Sequence, residues 1–121
     1  MSDANDIIAA RDATLNALSD SERVILNEIA ATTTPGPYLT RLTDRRNDLA
    51  KERQAVIDSA NVVVLSDADV VAAVQNLTGI AKNATDAAKA LPNATDKLTQ
   101  AGKVLGFAQQ FTDFVSGLSK S

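Results

Sequence analysis

Apolar residues return at alternating steps of four and three along four stretches of this chain, and little but helix follows from that. The first stretch reads Ala4, Ile8, Arg11, Leu15, Leu18, Glu22, Ile25, Ile29. The second reads Leu39, Leu42, Arg46, Leu49, Arg53, Val56, Ala60, Val63. The third is the cleanest, with Val70, Val74, Leu77, Ala81, Ala84, Ala88 and Leu91. The fourth runs Ala94, Leu98, Ala101, Leu105, Ala108, Thr112, Val115. This is heptad spacing, the pattern of coiled coils and bundles; strands repeat at two. Val62-Val63-Val64-Leu65 has strand composition, but no second run offers it a partner, so it reads as a helix end.

Punctuation divides the stretches. Thr32-Thr33-Thr34-Pro35-Gly36-Pro37 is a loop by its two prolines and glycine. Ser66-Asp67-Ala68-Asp69 starts a helix, with Ser66 as N-cap and acid in the first turn. Asn83-Ala84-Thr85-Asp86 recurs as Asn93-Ala94-Thr95-Asp96, and the second copy follows Pro92 with Asn93 placed as an N-cap. Pro92 either ends the third helix or kinks one long rod. The reading adopted is four helices over 4–32, 37–64, 67–91 and 93–118. Each is about 25 residues, or ~37 Å. Near-equal lengths and short connections favour one all-α domain over 1–121, an antiparallel up-down four-helix bundle.

Its seams are rich in alanine, with 21 in 121 residues. A chain this long buries roughly 65% of its unfolded surface. Alanine adds little area each, so these helices must approach closely. Folding the last two segments about Pro92 sets Ala81, Ala84 and Ala88 against Ala94, Leu98, Ala101 and Gly102. That end is thin. The other end sets Val70, Val74 and Leu77 against Phe107, Phe111 and Phe114 and is thick. Ile7, Ile8 and Val62 to Leu65 are expected to join the main core there. Gly102-x-x-x-Gly106 fits close packing against the alanines of the third segment; a glycine costs about 1 kcal/mol against alanine in a helix, so close approach has to matter there.

Four charges fall on the seams: Arg11, Glu22, Arg46 and Arg53. Folding the first two segments about the Pro-Gly-Pro loop brings Glu22 level with Arg46 and Arg11 level with Asp58. They either form cross-helix ion pairs that fix register or snorkel into water from a seam set one position aside. All six Arg lie in 1–53, and five of the six Lys beyond residue 80. The densest run, 41–53, has five cations, three acids and no aromatic. That is a solvated, charge-mixed helix, and with a net charge of −3 no nucleic-acid partner is expected.

Catalytic chemistry is scarce. The chain has no Cys and no His. That removes thiol and imidazole nucleophile systems and the commonest metal ligands. Its three Glu do not sit in a Glu-x-x-His pattern, Asp67 and Asp69 do not continue into a calcium loop, and no glycine-rich phosphate loop occurs. No enzyme activity, metal or cofactor is expected. Asn76, Asn83 and Asn93 head Asn-x-Thr triplets, but the first six residues lack the basic and apolar parts of a signal peptide. The expected compartment is the cytoplasm, with export by a route without a cleaved signal left open. No stretch is apolar enough to span a membrane.

What is left to act is a surface. The last segment carries Leu105, Phe107, Phe111, Phe114, Val115 and Leu118, a stripe wider than a bundle seam needs. It is either ordinary core or an interaction face for a protein partner or a second copy. The expected function is a non-catalytic adaptor, structural or assembly subunit docking through that face. The alternative is a membrane- or lipid-surface-active helical protein using the same Phe residues, against which stands the lack of a basic face. A third reading is a small-molecule pocket among the Phe residues.

Overall fold

The heptad stretches are helices in the computed structural model, which describes the backbone of residues 4–60 and 67–119 and the side chains of 8–58 and 75–115. Helix α1 spans Ala4–Ala31, α2 Pro37–Ala60, α3 Asp67–Ala90 and α4 Lys97–Ser119. A short 3-10 turn, Leu91–Asn93, follows α3. No strand occurs among the described residues. The Val62–Leu65 run and the Ser66 cap lie outside them.

The helix ends follow local chemistry. At the end of α1 the Thr32 hydroxyl donates to the Glu28 carbonyl at 2.7 Å and its N–H to the Ile29 carbonyl at 3.1 Å. Pro35 then prevents continuation. Pro37 opens α2, where its fixed φ and missing N–H cost nothing. The Gly36 carbonyl accepts the Thr40 N–H at 3.2 Å.

Pro92 makes a turn. It lies inside the 3-10 segment, closed by the Ala94 N–H on the Leu91 carbonyl at 3.1 Å, and Leu91 is fully buried beneath it. The start expected at Asn93 moves to Asp96. Its carboxylate accepts the Thr99 N–H at 3.1 Å and the Thr99 hydroxyl at 2.8 Å. A carboxylate meets the orphan amides of a first turn better than the Asn93 amide does, and Asn93 is already held in the turn.

Helix–helix packing is extensive, but its pattern departs from a ring taken in chain order. α1 packs on α2 and α3, α4 packs on α3 and α2, and α1 touches α4 to a smaller extent. Among the described residues α2 and α3 do not touch. These consecutive helices therefore occupy opposite corners. Contacts between α2 and α4 come in the same order along both: Arg45 against Gly102, then Glu52 with Thr112. Two neighbours thus run in the same direction.

The core divides α1 into two stripes. Leu18 and Ile25 are fully buried and flank Glu22, which contacts α2. Ala10, Thr14, Ala17 and Ser21 form a second buried stripe of small residues. Its two hydroxyls are satisfied within the helix, Thr14 on the Ala10 carbonyl at 2.9 Å and Ser21 on the Ala17 carbonyl at 2.8 Å. Because this small stripe takes the inward position early in α1, Ile8 points away and is 40% exposed, contrary to the expected place in the main core. From Leu77 onward the third heptad pattern is inside: Leu77, Ala81, Ala84, Ala88 and Leu91 are buried, joined by Ala87. Among its described side chains α2 buries only Leu42, Leu49 and Val56, one heptad apart, each contributing about 1.5–3 kcal/mol of burial. Val70, Val74, Ile7 and Val62 to Leu65, expected at the thick end, lie outside the described side chains.

The glycine pair of α4 does not meet the alanines of α3. The Cβ position at Gly102 faces the Arg45 guanidinium of α2 at 3.5–3.8 Å, and at Gly106 it meets nothing within 4 Å. Both results leave room for a side chain, so the close approach expected at these glycines is not found; the Arg45 guanidinium of α2 simply lies beside Gly102 at van der Waals distance.

Candidate functional site

The proposed face of α4 splits when its residues are seen in place. Ala101, Val104, Leu105, Ala108, Phe111 and Val115 are buried, and among the described residues Phe111 is the largest fully buried side chain. Phe107 and Phe114 are half-buried and pack on the edge of that core. Leu118 lies in α4 beyond the described side chains. Three of the six expected face residues, Leu105, Phe111 and Val115, are thus core. The reason is angular: a helix in contact with three others turns more than one heptad stripe inward. The part left outward is narrower. Lys103, Phe107, Gln110 and Phe114 follow one another at steps of four and three, alternating exposed polar and half-buried aromatic side chains.

The seam charges find other partners. Glu22 is 8% exposed and its carboxylate meets the Arg53 Nε at 3.5 Å. Arg46 is exposed and donates to the neighbouring Asn47 at 3.3 Å. Arg11 pairs with the adjacent Asp12 at 3.0 Å, and Asp58 accepts from Gln54 at 3.0 Å. Neither Glu22–Arg46 nor Arg11–Asp58 forms. Arg53, one heptad further along α2, reaches Glu22 instead. The shorter route for Arg46 and Arg11 is to the water-facing side, where each finds a polar neighbour.

Two grooves escaped the sequence reading. One, about 340 Å³, lies between α1 and α3 and is lined by Ala9, Ala10, Ala13, Ala81, Thr78, Thr85 and Lys82. Alanines on both helices leave a shallow trough that longer side chains would fill. The other, about 350 Å³, lies between α2 and the start of α4. Arg41, Asp44, Arg45, Asp48, Asp96, Leu98 and Thr99 line it, a mixed-charge set. The run 41–53 signalled those charges, but which of them face α4 follows only from packing.

Electrostatics at this end are local. The Asp96 carboxyl is held below the usual aspartate value, first by the Thr99 hydroxyl and then by the Thr99 N–H. The Tyr38 hydroxyl is pushed up, first by partial desolvation and then by its hydrogen bond to Glu28, 3.1 Å away. Arg45 Nε is buried without a hydrogen-bond acceptor. Among the described residues no group of three or more acidic side chains could hold a metal ion. No helix among them is long and apolar enough to cross a membrane.

No protein-family model matches the chain, and neither a curated protein nor a solved structure is significantly similar to it. The reading of its function therefore rests on its own surfaces.

Proposed function

We propose that this chain is a non-catalytic interaction or assembly subunit that docks on another protein, or on a second copy, through the Phe107–Phe114 edge of α4. Two antiparallel helical hairpins laid side by side support that edge. Support for the first hairpin is that Glu28–Tyr38 and Glu22–Arg53 come in opposite order along α1 and α2. For the second it is the Gln100 side chain on the Ala87 carbonyl across the Pro92 turn.

The observation that carries the reading is the pair of half-buried aromatics one heptad apart. Phe107 and Phe114 stand on a helix anchored by Phe111 and Val115, so they are presented at low conformational cost. A partner helix with two apolar anchors at the same spacing fits such an edge. Lys103 is the one cation of this stripe, which disfavours the lipid-surface alternative.

The test is light scattering over a concentration series for the wild type and for Phe107→Ser/Phe114→Ser, with circular dichroism to check folding. A discrete oligomer that the double variant dissociates, while it stays helical, is the expected result for self-assembly. A wild type that is monomeric throughout moves the reading to a heterologous partner. Cross-linking then has to capture it through Phe107 or Phe114 positions. Co-sedimentation with anionic liposomes that needs both Phe residues would instead support the lipid reading.

A further inference from the structure

We propose that α2 is a detachable helix: it undocks as a unit while α1, α3 and α4 stay packed, uncovering Leu18 and Ile25 on α1 and Leu105 on α4.

The topology allows it. α1, α3 and α4 touch one another pairwise, so a closed three-helix set remains when α2 leaves. The same topology holds for α3, which also rests on α1 and α4 and on the turn that follows it. The side chains separate the two. Over 37–58 α2 buries Leu42, Leu49 and Val56 on one heptad line and adds no half-buried apolar side chain to the core, whereas over 75–90 α3 buries Leu77 and four alanines and packs Ile80 against them. Nine of the 24 residues of α2 are charged, and water receives these readily when the helix leaves.

Its remaining side-chain attachments among the described residues are polar: at the loop end Tyr38 donates to Glu28 of α1 at 3.1 Å from an exposed position, and those further along are incomplete. Arg53 holds Glu22 of α1 at 3.5 Å, and that Arg side chain is 43% exposed. Its neighbour Glu52 accepts from the Thr112 hydroxyl of α4 at 3.0 Å. The same hydroxyl lies 2.9 Å from the Gln109 carbonyl, so its single proton is shared between two acceptors. Arg45, laid on Gly102, keeps its Nε buried with no acceptor, a deficit that water repairs on opening. The groove of about 350 Å³ beside it already admits solvent between α2 and the start of α4.

What opening uncovers follows from the stripes. Glu22 contacts α2, and Leu18 and Ile25 lie on its line one turn to either side. Gly102 and Thr112 face α2, and Leu105 lies between them on the same line. The undocked state therefore offers a large-residue apolar strip separate from the Phe107–Phe114 edge, and it stands whether or not that edge binds anything.

Native-state hydrogen exchange on the full chain, read by mass spectrometry through a series of low denaturant concentrations, tests this. The slowest amides of α2 are expected to open at least tenfold more often than those of α3 and α4, with a smaller denaturant dependence. Ala87→Gly supplies the second measurement. It weakens α3 and raises the global opening constant about fivefold. Exchange in α3 and α4 should rise by that factor, with α2 unchanged, because α2 opens without α3. The proposal is overturned if the slowest amides of α2 share the opening constant of α3 and α4. It is equally overturned if Ala87→Gly speeds α2 by the same factor as the others.

Discussion

Phe111→Ala separates a core role for the α4 aromatics from a surface role. Phe111 is fully buried, while Phe107 and Phe114 are half-buried on the rim. Removing a buried phenyl ring loses its transfer energy and leaves a cavity that tight neighbours fill poorly. The cost is about 3–5 kcal/mol, against a total stability of roughly 5–15 kcal/mol for a domain. For 121 residues the unfolding entropy is about 250 cal/mol/K, so the loss corresponds to a fall in Tm of about 16 °C. Phe107→Ala, with part of its surface already in water, should cost roughly 1–2 kcal/mol. Urea unfolding followed by far-UV circular dichroism measures both, with the slope m held in common. An unchanged m means that the native and unfolded states are otherwise alike. If Phe111→Ala costs no more than Phe107→Ala, the division of α4 into core and edge is wrong and the interaction reading loses its frame.

Three further outcomes are expected. A double-mutant cycle on Glu22→Ala and Arg53→Ala should give a coupling of about 0.5–1 kcal/mol, small because the Arg is well exposed, while Glu22 with Arg46 should be additive; coupling to Arg46 of equal size would contradict the geometry. Arg45→Met keeps the aliphatic stem on Gly102 and removes the orphan Nε, so it should stabilise by about 1 kcal/mol in the same urea assay; a loss of stability would mean the guanidinium has a partner in solution. Asp96→Ala should lower Tm by removing the α4 cap. Because the folded carboxyl titrates below its unfolded value, that stabilisation is present above the unfolded aspartate pKa and is lost as pH falls through the lowered one. The Tm gap between wild type and Asp96→Ala should therefore close in acid; a gap that persists there would refute the capping role.

The helices follow from the order of residues alone. Heptad spacing, the Thr-Pro-Gly loop and Pro92 act within one or two turns, so they are legible without knowing what packs on what. The buried line Leu77, Ala81, Ala84, Ala88, Leu91 was readable for the same reason, because α3 turns one small-residue face inward. Which face of α1 and α4 met which neighbour was settled by packing. Both helices touch all three others, so stripes one position apart compete for the inside. Small residues won early in α1, sending Ile8 outward, and a second large stripe won in α4, taking in Phe111 and leaving Phe107 and Phe114 at the rim. The ion pair followed the same logic. Arg46 and Arg53 sit one heptad apart on one face of α2, and sequence cannot choose between them; helix register and the reach of a long side chain brought Arg53 to Glu22. Placing α2 and α3 at opposite corners is likewise a global outcome, because a short connection limits distance without naming a neighbour.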